Sequence, residues 1–206
     1  MVQIIDKQFY RLVGGLLVLL VLLLWLAPAE KTLGQVVKLI YLHGAMVRTA
    51  VLLFAVGLPV NVVGLLTRRT GWQRWGQALV WAAVLVWLVH TLLSMLSTYA
   101  AWGVWIAWYE PRVRFTFITA GVGLVVIAAA WLVGEPRFTA LAFAVLSLIV
   151  LGMLPQLGLV QHPFNPIGTS TSAAIRGFYG GILLVSAALG GLLARWLYHR
   201  TPARME

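Results

Sequence analysis

Cysteine is absent from this 206-residue chain. That excludes disulfides, a thiolate nucleophile, cysteine-ligated metals and thioether-linked cofactors. Acidic residues are almost as scarce, at five Asp and Glu against fifteen Lys and Arg. Paired carboxylates for acid–base chemistry are therefore missing, as are a Ser-His-Asp set, a zinc-ligand cluster and a phosphate-cradling loop. The chain is accordingly not expected to be an enzyme. Charge is rare in general, with 10% charged and 62% hydrophobic residues. A soluble core does not need that much apolar sequence, so the composition is that of a polytopic membrane protein. The net charge of +10 is spread between apolar segments rather than gathered into a stripe. Anionic lipid headgroups account for it, and nucleic acid is not an expected partner.

Crossing a hydrocarbon core of about 30 Å takes about 20 helical residues. Six segments qualify, near 9–27, 37–66, 76–97, 115–133, 138–158 and 174–197. The expected fold is all-α, one membrane domain of six transmembrane helices. The first segment is followed by Ala27-Pro28-Ala29, where small residues could mark a signal-peptide cleavage site. Its length, and the even set of spans it completes, favour a retained helix. Within the second segment, Gly57-Leu58-Pro59 predicts a kink, because proline removes one helical hydrogen bond. The short loop 67–75 carries Arg68, Arg69 and Arg74, the turn 134–137 carries Arg137, and the tail carries Arg200 and Arg204. By the positive-inside rule this side is cytoplasmic and holds both termini. Lys31, Lys38, Arg112 and Arg114 dilute the bias.

The opposite side holds connections 28–36, 98–114 and 159–173, and the unusual residues collect there. In 98–114, Trp102, Trp105 and Trp108 recur every three residues, followed by Glu110-Pro111-Arg112-Val113-Arg114. A helical run would turn about 300° per step and put the three indoles on one broad face. Such a face suits a flat apolar ligand with anionic groups, or equally an interfacial anchor, where Trp and Tyr collect. His43 lies one to two turns inside the second span, and His162 lies in Gln161-His162-Pro163. Together they bracket the tryptophan run on its own side. Neutral imidazole is a good axial ligand for haem iron. His90 sits in the apolar stretch Val86-Trp87-Leu88-Val89-His90, as a further ligand or as a polar contact between helices. Arg48, about 7.5 Å deeper than His43, needs a partner or a route to the surface. With Arg112, Arg114 and Arg176 it supplies guanidinium groups that would pair with carboxylates, or snorkel to lipid phosphates. The Gly180-Gly181 pair falls in a predicted helix, where small residues allow close packing.

Trp102-Gly103-x-Trp105-x-x-Trp108-x-Glu110-Pro111-Arg112 resembles the tryptophan-rich segment of the cytochrome c assembly haem-handling proteins. This is the WWD-domain family, and its pattern runs approximately W-G-x-W-W-x-W-D-P-R. Six spans, a tryptophan loop between the third and fourth, and one outer histidine on each side look like its CcmC/CcsA-type members. The chain departs from the pattern at Ile106, in place of a second Trp, at the extra Tyr109, and at Glu110, in place of Asp. The resemblance implies noncovalent haem b held between His43 and His162, with Trp102, Trp105 and Trp108 cradling the porphyrin. It implies a place in the bacterial inner membrane with an extracytoplasmic working face. It also implies three partners: an ABC-transporter-like complex, a small single-span subunit and a haem chaperone. The expected function is haem delivery in cytochrome c biogenesis. The alternative is a structural membrane subunit or anchor without its own cofactor. A small-solute transporter ranks last, because Arg48, Asn61, His90 and a few hydroxyls are the only polar groups for a path.

Overall fold

A computed structural model describes residues 7–158, 160, 167–168 and 170–200 of the chain. The described residues form six long helices and no strand: α1 Lys7–Leu26, α2 Val37–Thr67, α3 Thr70–Trp102, α4 Pro111–Val133, α5 Pro136–Met153 and α6 Ala173–Arg200. A 3-10 turn, Leu154–Gln156, ends α5. All six are long and apolar enough to cross a membrane, so the protein is an all-α, multi-pass membrane protein. Helix α3 overruns its expected segment at both ends and α4 at its start, whereas α5 stops short, at Met153. At 33 residues α3 is about 50 Å long, more than the hydrocarbon core requires. Hydropathy marks where lipid is tolerated, whereas backbone hydrogen bonding decides where a helix stops.

The stops are local and readable. Gly103 (φ +74°) and Gly134 (φ +68°) take the left-handed conformation, and their N–H groups donate to the carbonyls of Tyr99 and Ala130. Glycine adopts this geometry at no steric cost. Pro111 and Pro136 open α4 and α5 at positions where the missing N–H is not needed. Glu135 caps α5, accepting from the N–H groups of Arg137 and Phe138. The expected loop 67–75 is much shorter than its composition indicated. Only Arg68 and Arg69 separate α2 from α3, and Arg74 is helical. Pro59 lies inside α2, which continues through it to Thr67 as one helix.

Packing centres on the α2–α3 hairpin, with α5, α6 and α4 around it. Small residues let the backbones close up, as in other membrane bundles. A Cβ on Gly76 would fall on the Asn61 side chain, whose Nδ2 donates to the carbonyls of Gly57 (2.8 Å) and Gly76 (3.2 Å). One apolar core surrounds Phe54, Val80, Trp87, Phe143 and Val150. A second surrounds Tyr41, Ile175, Tyr179 and Ile182. Helix α1 is peripheral and rests chiefly on α6, where Leu23 lies 3.5 Å from the Cβ position of Gly181. Only 6% of its most apolar window is buried, against 50% for α3, so its outer face is left to lipid.

Two ends of the bundle are defined by contacts. At one, the Arg74 guanidinium donates to the Tyr198 carbonyl (2.9 Å) and Trp75 stacks on the Tyr198 ring. The other gathers the 28–36 connection, the end of α3 and the starts of α4 and α6 around a cavity.

Candidate functional site

The cavity encloses about 620 Å³. Its walls come from the turn before α2 (Glu30, Thr32, Leu33), from Val37, Ile40, Tyr41 and His43 of α2, and from Ser94, Ser97, Thr98, Ala101 and Trp102 of α3. Val113 of α4, Ile167, and Ser170, Thr171 and Ile175 at the entry to α6 complete the described lining. The size lies within the roughly 300–1,000 Å³ of pockets that bury a sizeable ligand. Its chemistry is mainly apolar, with one imidazole, one indole, one phenol, a band of hydroxyls and the Glu30 carboxyl, which is engaged by the Thr32 and Leu33 amides. The Ser97 hydroxyl is buried and has no hydrogen-bond partner among the described residues. A buried donor left unspent is costly, so it is available to an acceptor on a ligand.

The tryptophan run does not form one helical face. Trp102 is the last residue of α3, and Gly103 turns the chain out of the helix. Trp105 folds back onto Tyr99, with stacked rings 4.3 Å apart, and its carbonyl accepts from the Thr98 hydroxyl (2.8 Å). Trp108 leans on Phe117, 5.2 Å away. Of the three indoles, only Trp102 lines the cavity. Trp105 and Trp108 are 51% and 54% exposed. The spacing of three therefore records one helix end and two loop positions, because the φ of Gly103 ends the helical phase before the second indole.

His43 reaches the cavity wall. His162 lies outside the described residues. His90 is 3% exposed and is not among the lining residues. It stands behind His43, with ring centroids 4.5 Å apart and planes tilted by 30°. Its Nε2 is 3.4 Å from the Thr116 hydroxyl of α4, and the Trp87 ring meets it edge-on.

The four arginines do not gather at the cavity. None is among its described lining residues. Arg48 lies over the Tyr179 ring, 5.2 Å from its centroid, a cation–π contact on α6. Arg176 donates to the Ser170 carbonyl (2.6 Å). Arg112 and Arg114 flank Val113 in the first turn of α4, with Arg114 exposed.

Two acids hold the connections in place. Glu110 is fully buried, and its carboxylate oxygens lie 3.3 and 3.4 Å from the Val160 amide nitrogen. It thereby ties the loop after the tryptophans to the connection before α6. Glu30 accepts from the N–H groups of Thr32 (2.8 Å) and Leu33 (2.9 Å), inside a turn closed by Gly34 at φ +55°. Hydrogen bonds from Leu33 and Thr32 hold its carboxyl below the usual carboxylate range. A depressed folded-state pKa stabilises the turn fully above the unfolded-state value, and that support is lost as pH falls through the folded value. The Thr32 and Leu33 amides are therefore expected to lose hydrogen-exchange protection only in acid. In Glu30→Gln that pH dependence should vanish, and an unchanged acid transition in the variant would refute the assignment.

The hydroxyl band was the feature hardest to see in advance, yet a signal exists. His90, Thr91, Ser94, Ser97 and Thr98 are all buried and recur at i, i+1, i+4, i+7 and i+8, one stripe along α3. The turn acid Glu30 had no comparable signal. Compared with known proteins, the chain matches no family model and no curated protein sequence.

Proposed function

We propose that this protein handles haem in cytochrome c assembly, holding it noncovalently and passing it to an acceptor. The observation that carries the reading is the cavity of about 620 Å³ with the His43 imidazole in its wall. Its residues fit the group. An imidazole suits the iron, Trp102 and the apolar side chains suit the macrocycle, and the unspent Ser97 hydroxyl suits a propionate oxygen. When bound, haem would supply an iron open to coordination by neutral imidazole. In this reading His43 is one ligand, and His162 is assigned the other on sequence.

The chain's own residues bind, orient and shield. Tyr41, Ile40 and Val37 exclude water from one side, and Ser94 and Ser97 offer hydroxyls on the other. Arg112 and Arg114, beside the lining residue Val113 in the first turn of α4, would add positive charge outside the cavity wall, while Arg48 and Arg176 brace α6. Trp105 and Trp108, being exposed, serve the approach of lipid or of the acceptor. The role is delivery, without covalent catalysis. The setting we infer is the bacterial inner membrane, with both termini cytoplasmic and the cavity extracytoplasmic. An ABC-transporter-like complex, a small single-span subunit and a haem chaperone are the proposed partners.

Purified protein titrated with haem is expected to give a low-spin Soret spectrum. His43→Ala should weaken binding by more than the 10–100-fold typical of residues behind a ligand. A wild-type protein without a Soret band, or a His43→Ala/His162→Ala double variant that binds like wild type, would overturn the reading.

A further inference from the structure

The His43–His90 contact joins two helices through two imidazoles, and only one of them reaches the cavity. His90 itself is braced on three sides. Thr116 of α4 is 3.4 Å from its Nε2, the Trp87 ring lies edge-on at 5.4 Å, and His43 of α2 lies against its face. Trp87 is in turn anchored, its Nε1 donating to the Thr116 carbonyl (3.0 Å). Apart from His43, the ring is held by Thr116 of α4 and by Trp87 of its own helix, and it offers His43 a flat, buried face. His43 stands at the cavity wall, where the orientation of its ring decides which edge it offers to a ligand.

We propose that His90 is a positioning residue, which holds the His43 imidazole in one orientation at the cavity wall through contact between ring faces. Thr116 and Trp87 act through His90 and do not touch a ligand. The inference rests on the assignment of His43 as an iron ligand for its purpose, but its physical content concerns the chain alone. Residues behind a metal ligand fix ring orientation, and losing one typically costs 10–100-fold in affinity.

The test compares His90→Ala, which removes the ring, with His90→Phe, which restores a flat face without a nitrogen. In haem-free protein labelled at histidine and held in detergent micelles, nuclear magnetic resonance reads the His43 ring directly. Wild type and His90→Phe are expected to show one narrow set of His43 ring resonances, and His90→Ala a broadened or split set. In the haem-loaded protein, dissociation should be about 10-fold faster in His90→Ala and near wild type in His90→Phe. The low-spin ferric resonance spectrum should shift in His90→Ala alone. Unchanged His43 resonances in His90→Ala overturn the inference, whatever haem does. A Phe variant that behaves like Ala also overturns it, because the ring face would then not be what holds His43. If His90→Ala does not fold, Thr116→Val, which removes the hydroxyl beside His90 Nε2, decides by the same resonances. Failure of the haem reading is distinct, and would appear as no Soret band in wild type while the His43 resonances still respond.

Discussion

Trp87→Ala is expected to cost about 3–5 kcal/mol of unfolding free energy in detergent, the usual range for emptying a large buried aromatic site. Trp87 is 1% exposed and packs against Phe54, Phe115 and His90, from α2, α4 and its own helix. Removing it takes away those contacts and also leaves the Thr116 carbonyl without the indole donor. Lipid tails are as apolar as a protein core, so the loss is mainly one of packing and of a filled volume. Three helices close around that volume, and none can collapse into it without moving the others. The matched control is Trp131, which is 69% exposed on α4. Trp131→Ala should stay within about 0.5 kcal/mol of wild type. Denaturation of both variants in mixed micelles checks the contrast, and equal losses would refute the packing account.

Glu110→Ala is the second large effect. The buried carboxylate is the acceptor for the Val160 N–H, and its own carbonyl accepts from Arg114 in the first turn of α4. Truncation leaves a backbone donor without that acceptor, at a cost of about 1–3 kcal/mol. The connection that begins at Val160 also carries His162. Haem affinity should therefore fall with stability in Glu110→Ala, by about 10-fold. Glu110→Gln keeps one oxygen in place and should recover most of both. Thermal unfolding and haem titration read the two effects together. A Glu110→Ala variant that melts and binds as wild type does would remove the clasp.

Most of the scaffold was legible in the sequence. Each of the six expected spans lies on one of the six helices, because a run of about 20 apolar residues has few other ways to satisfy its backbone in lipid. Helix ends were less legible. Thr70, Gly71 and Gln73 look like loop residues by composition, yet all are helical in α3. The site was legible in part. His43 and Trp102, singled out in the sequence as an imidazole bracketing the tryptophan run and as the run's first indole, both line the cavity. The arginines were grouped by type and side, but a long side chain goes to whatever acceptor or ring its helix faces, and for Arg48 that is Tyr179. Trp105 and Trp108 followed a helical count that Gly103 interrupts.

The sequence alone determined the class of protein, the number and order of helices, and which end of the chain's hairpins holds histidine and tryptophan. These follow from composition and from local hydrogen bonding, which act over a few residues at a time. Only the tertiary structure decided that His90 lies against His43, that Glu110 clasps Val160, and that hydroxyls rather than arginines line the described cavity wall. Those pairings join residues 47 and 50 positions apart. They depend on how helices rotate about their axes when small residues such as Gly76 let them close up, and no local pattern records that rotation.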